Sequence, residues 1–198
     1  MNSIAFSVRN PDHPVDPVFV ARWSPRAFDD SSITDAELMG LLEAARWAPS
    51  AANIQPWRFV IALRGEPAFD RIVESLSGNN KLWAGNAAAL IVFASATTAV
   101  WPGASGPAPN GLHAFDTGAA WAFFAIQARK DGWHTHGMAG FDRDTLATAI
   151  NLPADHAINA VVAIGKLGDP ATLPEALRAR EVPSQRRPLS ETVIRGGF

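Results

Sequence analysis

The chain has 198 residues, of which 47% are hydrophobic, and its formal net charge at pH 7 is -2. A chain of this length forms one domain that buries about 70% of its unfolded surface, and its small net charge argues against nucleic acid or an anionic membrane as the main partner. The sequence has no cysteine, which excludes disulfides, thiolate catalysis and cysteine metal sites.

Residues 1–19 form an N-terminal extension without the apolar run and small-residue cleavage site of a signal peptide. The longest apolar stretches, residues 87–96 and 118–126, have about half the ~20 residues that a membrane-spanning helix needs. We therefore expect a cytoplasmic protein that does not cross a membrane.

The first strong helix signal covers residues 35–47. Thr34 and Glu37 have the spacing of a capping box, and leucines recur behind them at helical intervals. Pro49 ends this helix, because proline disfavours helical backbone in the residue before it.

A corner of small and polar residues follows, between two prolines. Ala48 and Gln55 each precede a proline, so we expect both to be extended or turn-like. A strand is predicted over residues 58–64. Taken alone, the corner at residues 50–53 is more typical of an ordinary helix-to-strand connection than of a binding loop.

The rest of the chain alternates between helix and strand signals, which indicates an α+β or α/β fold. In chain order we first predict an amphipathic helix over residues 69–76, which residues 78–80 end, and then a strand over residues 88–97 that is buried on both faces. A loop from Trp101 to Gly111 and an apolar helix over residues 113–130 follow. The last predicted elements are a strand over residues 134–138, a helix that contains Leu146 and Ile150 and is capped by Asp142, and a strand over residues 157–164. The loop is as typical of a lid or binding loop as of a simple connection.

The helix over residues 113–130 is apolar nearly all round. A helix without a polar face is buried. Central burial within one chain and burial between two subunits explain its composition equally well.

Four motifs in a fixed order carry a family resemblance. They are Arg22-Trp23-Ser24-Pro25-Arg26-Ala27-Phe28, the stretch from Ala48 to Trp57, Asp116-Thr117-Gly118-Ala119-Ala120 with the later Gly132 and Gly140-Phe141-Asp142, and Arg186-Arg187-Pro188-Leu189. Together they resemble the nitroreductase family of FMN-dependent oxidoreductases, over roughly residues 20–194. The resemblance implies a single FMN-binding domain over residues 1–198. It implies an α+β fold with a central mixed or antiparallel sheet flanked by helices, and an intertwined homodimer.

The resemblance also implies which residues bind the FMN phosphate. Guanidinium groups pair bidentately with phosphate, and the residues that would do so here are Arg22, Ser24 and one of Arg186 or Arg187. Trp23 belongs to the same segment, and Arg26 would lie near the pyrimidine edge of the flavin, where a cation favours the reduced anion. Each arginine alone is more typical of a solvated surface charge. The last two arginines belong to a C-terminal arm, residues 175–198, that would embrace the partner subunit.

Two further groups would line the flavin ring. The partner subunit would supply Pro49, Ser50, Ala51 and Asn53. Asn80 matches a family asparagine that hydrogen-bonds the flavin, although Asn79 matches equally well. The backbone N–H groups of Ala139 and Gly140 would approach flavin N5. Many family members have glutamate in place of Ala139, which affects the expected redox tuning and substrate range but not FMN binding.

The implied activity is NAD(P)H-dependent reduction of nitroaromatics, quinones or related acceptors, by ping-pong hydride transfer through flavin N5. No Gly-x-Gly-x-x-Gly follows a predicted strand, so we expect no separate dinucleotide domain. Hydride transfer depends mainly on proximity and orientation, so no catalytic side chain is predicted. The alternatives are a specialised flavin enzyme that acts on one substrate and a non-catalytic FMN-binding module. The residues do not distinguish NADH from NADPH.

His134 and His136 would face the same side of a strand, as paired metal ligands do. Because no third ligand lies within sequence range, we predict no metal site.

Overall fold

The computed structural model describes residues 9–198, so the first eight residues of the predicted N-terminal extension lie outside the described residues. The helices are α1 (Pro17–Ala21), α2 (Asp35–Arg46), α3 (Pro67–Ser75), α4 (Lys81–Ala84), α5 (His113–Lys130), α6 (Arg143–Ala149) and α7 (Glu175–Arg178). The strands are β1 (Trp57–Leu63), β2 (Ala89–Ala96), β3 (Thr98–Ala99), β4 (Ala108–Pro109), β5 (His134–Met138) and β6 (His156–Gly165). Within residues 9–198, no helix is both long enough and apolar enough to span a bilayer.

Four strands form one antiparallel sheet in the order β1-β2-β6-β5, which confirms the predicted fold class. Alternate residues of β2 point to opposite faces, so Leu90 and Val92 pack with α3 and α6, whereas Ile91 and Phe93 pack with α2 and α5. Both faces of the sheet are therefore covered, as the unbroken apolar run of β2 predicts.

The capping box at the start of α2 is present. Thr34 Oγ1 accepts from the Glu37 N–H at 3.2 Å, and Glu37 Oε2 accepts from the Thr34 N–H at 2.9 Å. These bonds satisfy two backbone donors that a helix start leaves unpaired. The helix then runs to Arg46, as its periodicity predicts.

Three local predictions need correction. The helix predicted over residues 69–76 ends at Ser75, because Leu76 is extended and forms an isolated bridge with Phe141. Residues 78–80 do not end it but form a separate 3₁₀ turn that leads into α4. The predicted loop at residues 101–111 includes β4, which pairs with β3 in a small hairpin. Two-residue strands are too short to show a periodic pattern.

Helix α5 buries only one face within the chain. Ala120, Phe124 and Ala128 are fully buried against the sheet. On the rest of the helix, Phe115 is 77% exposed and Phe123 is 44% exposed. Central burial within one chain therefore does not explain the all-round apolar character of this helix.

Candidate functional site

The arginine-rich segment at residues 22–28 is anchored at the end of β6. An added Cβ at Gly165 would lie 2.6 Å from the Phe28 ring, and one at Gly168 would lie 2.5 Å from the Phe28 backbone. The Gly168 N–H also donates to the Ala27 carbonyl at 2.9 Å. These two glycines allow the segment to approach closely, so their role is packing.

Arg9 holds the same segment from the N-terminal side. Its guanidinium donates to three backbone carbonyls, those of Arg22 at 2.7 Å, Ser184 at 2.8 Å and Val20 at 2.9 Å. Because Ser184 belongs to the C-terminal arm, this one side chain joins the extension, the arm and the arginine segment.

Glu181 holds the segment from the arm. Its buried carboxylate accepts from the backbone N–H groups of Arg26 at 2.6 Å and Ala27 at 2.8 Å. The second carboxylate oxygen lies 3.5 Å from the Arg26 guanidinium. Charge-assisted bonds of this kind are strong, so the arm and the segment form one unit.

His136, on β5, also contacts the arginine-rich segment. Its Nδ1 lies 2.9 Å from the Pro25 carbonyl, which can only accept, so Nδ1 carries the proton. The ring packs against Trp83, with centroids 4.6 Å apart. Burial lowers the pKa of His136, which outweighs the opposing effect of this hydrogen bond.

These elements line a cavity of about 400 Å³ beside the segment, which is open to solvent on one side. Five predicted site residues line it, namely Arg22, Trp23, Ser24, Arg26 and Arg186, together with Arg9, His136, Arg180, Val182 and Ser184. The structure therefore brings together the N-terminal motif and one of the two arginines of the C-terminal motif.

The cavity carries excess positive charge. Burial, followed by the charge of Arg186, lowers the pKa values of both Arg9 and Arg22. Of the five arginines that line the cavity, only Arg26 forms an ion pair with a carboxylate in the part of the chain that the structure describes. Such a cluster is suited to binding an anion.

Arg187 lies elsewhere, in an adjoining cavity of about 360 Å³ that shares Arg9, Ser184 and Arg186 with the first. Of the two alternatives for a phosphate ligand from the C-terminal motif, the geometry favours Arg186.

Asn80, Ala139 and Gly140 form a second group just beyond the end of β5. The Gly140 carbonyl accepts from Asn80 Nδ2 and from the Ser77 N–H, both at 3.0 Å, which fixes the orientation of this peptide. An added Cβ on Gly140 would lie 2.8 Å from Ser77 Oγ and 2.9 Å from Asn80 Nδ2. Asn79 is exposed, so Asn80 is the asparagine beside this segment. Gly140 is the fourth residue after His136, so the two are at most about 13 Å apart along an extended chain.

The third group, Pro49, Ser50, Ala51 and Asn53, does not line the arginine cavity of its own chain. These residues lie in the loop after α2. Ala51 donates its N–H to Asp116 Oδ2 of α5 at 3.2 Å, and Gln55 donates its N–H to Ser50 Oγ at 3.0 Å.

Sequence reasoning missed Arg9 and Glu181, and considered His136 only as a metal ligand. Neither Arg9 nor Glu181 lies in a recognisable motif, and their hydrogen bonds join distant parts of the chain. Within residues 9–198, no group of three or more His, Cys, Asp and Glu side chains is arranged to hold a metal ion.

Known proteins resemble the chain along most of its length. The sequence profile of the nitroreductase family matches residues 20–81. A solved structure described as an oxidoreductase containing FMN is 43% identical, with a TM-score of 0.91, over 96% of each chain. Protein DrgA of Synechocystis sp. is 28% identical over 84% of this chain and 85% of its own. An NADH dehydrogenase of Thermus thermophilus is 26% identical over 87% of this chain and 91% of its own.

Proposed function

The chain belongs to the nitroreductase family and is an oxidoreductase, and we propose that it is a homodimeric enzyme that binds FMN at the subunit interface. It would take electrons from NADH or NADPH and pass them, in a ping-pong cycle, to nitroaromatics, quinones or related small acceptors. The family assignment supports FMN and a nicotinamide donor, because relatives include an FMN-containing oxidoreductase and an NADH dehydrogenase.

The observation that carries the proposal is the arginine cavity. Arg186 lies close enough to Arg22 for its charge, after burial, to lower the pKa of Arg22, and neither arginine has a carboxylate partner among the residues described. Like charges are held together at a cost unless an anion neutralises them. The phosphate of FMN would be that anion, bound by Arg22, Ser24 and Arg186.

The second group of residues fits the ring end of the cofactor. A side chain on Gly140 would require the side chains of Ser77 and Asn80 to shift, and the Gly140 carbonyl accepts from two donors. The hydrogen bonds fix the backbone at Gly140, and the missing side chain would allow a planar ring to approach it closely. Bound FMN would supply hydride chemistry at N5, and the chain's own residues would fix its position and electrostatics.

Arg26 and Glu181 would set the charge at the pyrimidine edge. Arg26 would place a guanidinium beside this edge of the flavin. The Glu181 carboxylate, 3.5 Å from that guanidinium, offsets part of its charge. A cation near this edge favours the reduced flavin anion, so the pair would tune the reduction potential.

The exposed face of α5 supports the homodimer. Phe115 and Phe123 lie on this helix, and Trp47, 69% exposed, lies at the end of the neighbouring α2. Large apolar side chains exposed together are typical of a subunit interface. A partner across this face could bring its Pro49–Asn53 loop to the flavin. Light scattering should give twice the mass of one chain, and a monomer would overturn this part of the proposal.

Flavin binding is tested with a matched pair of ligands, FMN and riboflavin, which differ only in the phosphate. We expect the wild type to prefer FMN, and Arg22→Gln to lose that preference by tenfold or more, or about 1.5 to 3 kcal/mol for a charge-assisted bond. Arg71→Gln changes an exposed arginine on α3 and is the control. A wild type that binds no FMN would overturn the assignment.

Catalysis is tested by anaerobic spectroscopy of the FMN-loaded protein. NADH or NADPH should bleach the flavin absorbance, and a nitroaromatic or quinone should restore it. Reduction by neither nicotinamide would contradict the reductase and support a non-catalytic FMN-binding module. Reduction without reoxidation by any general acceptor would support a specialised enzyme with one substrate.

A further inference from the structure

The loop at residues 50–55 holds its backbone in a strained conformation. Ala52, Asn53 and Gln55 have φ values of 47°, 56° and 53°, in the left-handed region that residues with side chains rarely adopt. Gln55 adopts it beside Pro56, which disfavours ordinary helical backbone in the preceding residue. Strain of this kind persists only where surrounding contacts over-determine the conformation, and it concentrates at functional sites.

Two backbone N–H groups of the loop donate hydrogen bonds to side-chain oxygens. Ser50 Oγ accepts from the Gln55 N–H at 3.0 Å and closes the loop on itself. Asp116 Oδ2 accepts from the Ala51 N–H at 3.2 Å and connects the loop to α5. Asp116 is 3% exposed, so its carboxylate acts in a site largely shielded from water.

We propose that Asp116 is a positioning residue, whose carboxylate holds the strained loop in the shape that receives the flavin ring of the partner subunit. The inference rests on the proposed function, because it needs that loop to contact FMN. Asp116 lies directly after Phe115, the most exposed aromatic residue of α5. The same helix turn therefore meets the proposed interface on one side and holds the loop on the other.

Three variants test this role. Asp116→Ala removes the acceptor, and Asp116→Asn keeps an acceptor oxygen but loses the charge. Thr117→Val is the matched control, since Thr117 is equally buried on the same helix turn and its hydroxyl has no hydrogen-bond partner among the described residues. Hydrogen exchange at residues 51–55 is measured without flavin, and FMN affinity is measured by fluorescence titration.

We expect Asp116→Ala to accelerate exchange at the Ala51 amide, and to weaken FMN binding, by about tenfold or more. Asp116→Asn should fall between Ala and the wild type in both measurements, and Thr117→Val should match the wild type. If Asp116→Ala does not fold, Asp116→Asn tests the proposal alone. We then expect the exchange rate at the Ala51 amide to rise, and the FMN affinity to fall, by about threefold.

Wild-type exchange and affinity in the folded Asp116 variants would overturn the proposal. Equal losses in Asp116→Ala and Thr117→Val would also overturn it, because general loosening of the helix would then explain both. A wild type that binds no FMN overturns the proposed function and the flavin part of this inference together. The flavin-free exchange data separate that failure from a failure of Asp116 to hold the loop.

Discussion

His134 makes the stability of this protein depend on pH below neutrality. It is 5% exposed on β5, packs edge-on against Trp23, and neither ring nitrogen has a hydrogen-bond partner in the described part of the chain. Burial, with a smaller contribution from the charge of Arg129, lowers the pKa of His134 from 6.5 to about 4. The unfolded chain therefore binds this proton more tightly than the folded protein does.

Because the two states bind this proton with different affinity, the free energy of unfolding depends on pH. Below pH 6.5 the unfolded state gains a proton that the folded state takes up only near pH 4, so the free energy of unfolding falls as the pH falls through this window. The two pKa values differ by about 2.5. Each unit of pKa difference is worth about 1.4 kcal/mol, so the full loss is about 3.5 kcal/mol. Between pH 7.5 and pH 5 the loss from this one group is about 2 kcal/mol.

His134→Phe removes the titrating group and keeps an aromatic ring beside Trp23. Urea unfolding at pH 7.5 and pH 5, at one protein concentration, gives the pH-dependent loss for each protein. We expect the variant to lose about 2 kcal/mol less than the wild type. His13→Gln, at an exposed histidine, is the control and should behave as the wild type. An equal loss in His134→Phe and the wild type would refute the reasoning.

The structure supports three further predictions. Gly140→Ala should weaken FMN binding by about tenfold or more, because the new methyl group displaces Asn80; fluorescence titration measures this, and wild-type affinity would contradict it. Glu181→Gln keeps an acceptor for the backbone but removes the charge that offsets Arg26. The potential of bound flavin should therefore rise in spectroelectrochemistry, and a fall would be inconsistent with a cation near the ring. Phe124→Ala should reduce the free energy of unfolding by about 3 to 5 kcal/mol, because Phe124 is fully buried between α5 and the sheet; urea unfolding that shows less than about 1 kcal/mol would contradict its core position.

Elements that depend on local signals were predictable from the sequence. The capping box at Thr34, the proline that follows α2 and the apolar run of β2 each act within a few residues, and all three determine structure as predicted. The resemblance implied a mixed or antiparallel sheet but no strand order. The order β1-β2-β6-β5 was not predicted, because β2 pairs with a strand sixty or more residues away. Periodicity carries no information about such a pairing.

The site was predictable only where its residues form motifs. Arg22, Ser24 and Arg26 follow one another closely, and the cavity contains all three. Arg9 and Glu181 were missed because their contacts depend on how the two ends of the chain fold over the segment. The packing role of Gly165 and Gly168 against Phe28 was not predictable from sequence either, because it depends on a tertiary contact.

Dimerisation and FMN binding should be coupled in this protein. Asp116 fixes a strained loop that does not line the cavity of its own chain, and it does so from the helix that exposes Phe115. If the partner's loop completes the flavin site, as we propose, each of the two processes, subunit association and FMN binding, makes the other more favourable by the same free energy. Linkage then requires FMN to tighten the dimer by the same factor by which dimerisation tightens FMN binding. The apparent affinity for FMN should therefore rise with protein concentration, through the range in which the subunits associate.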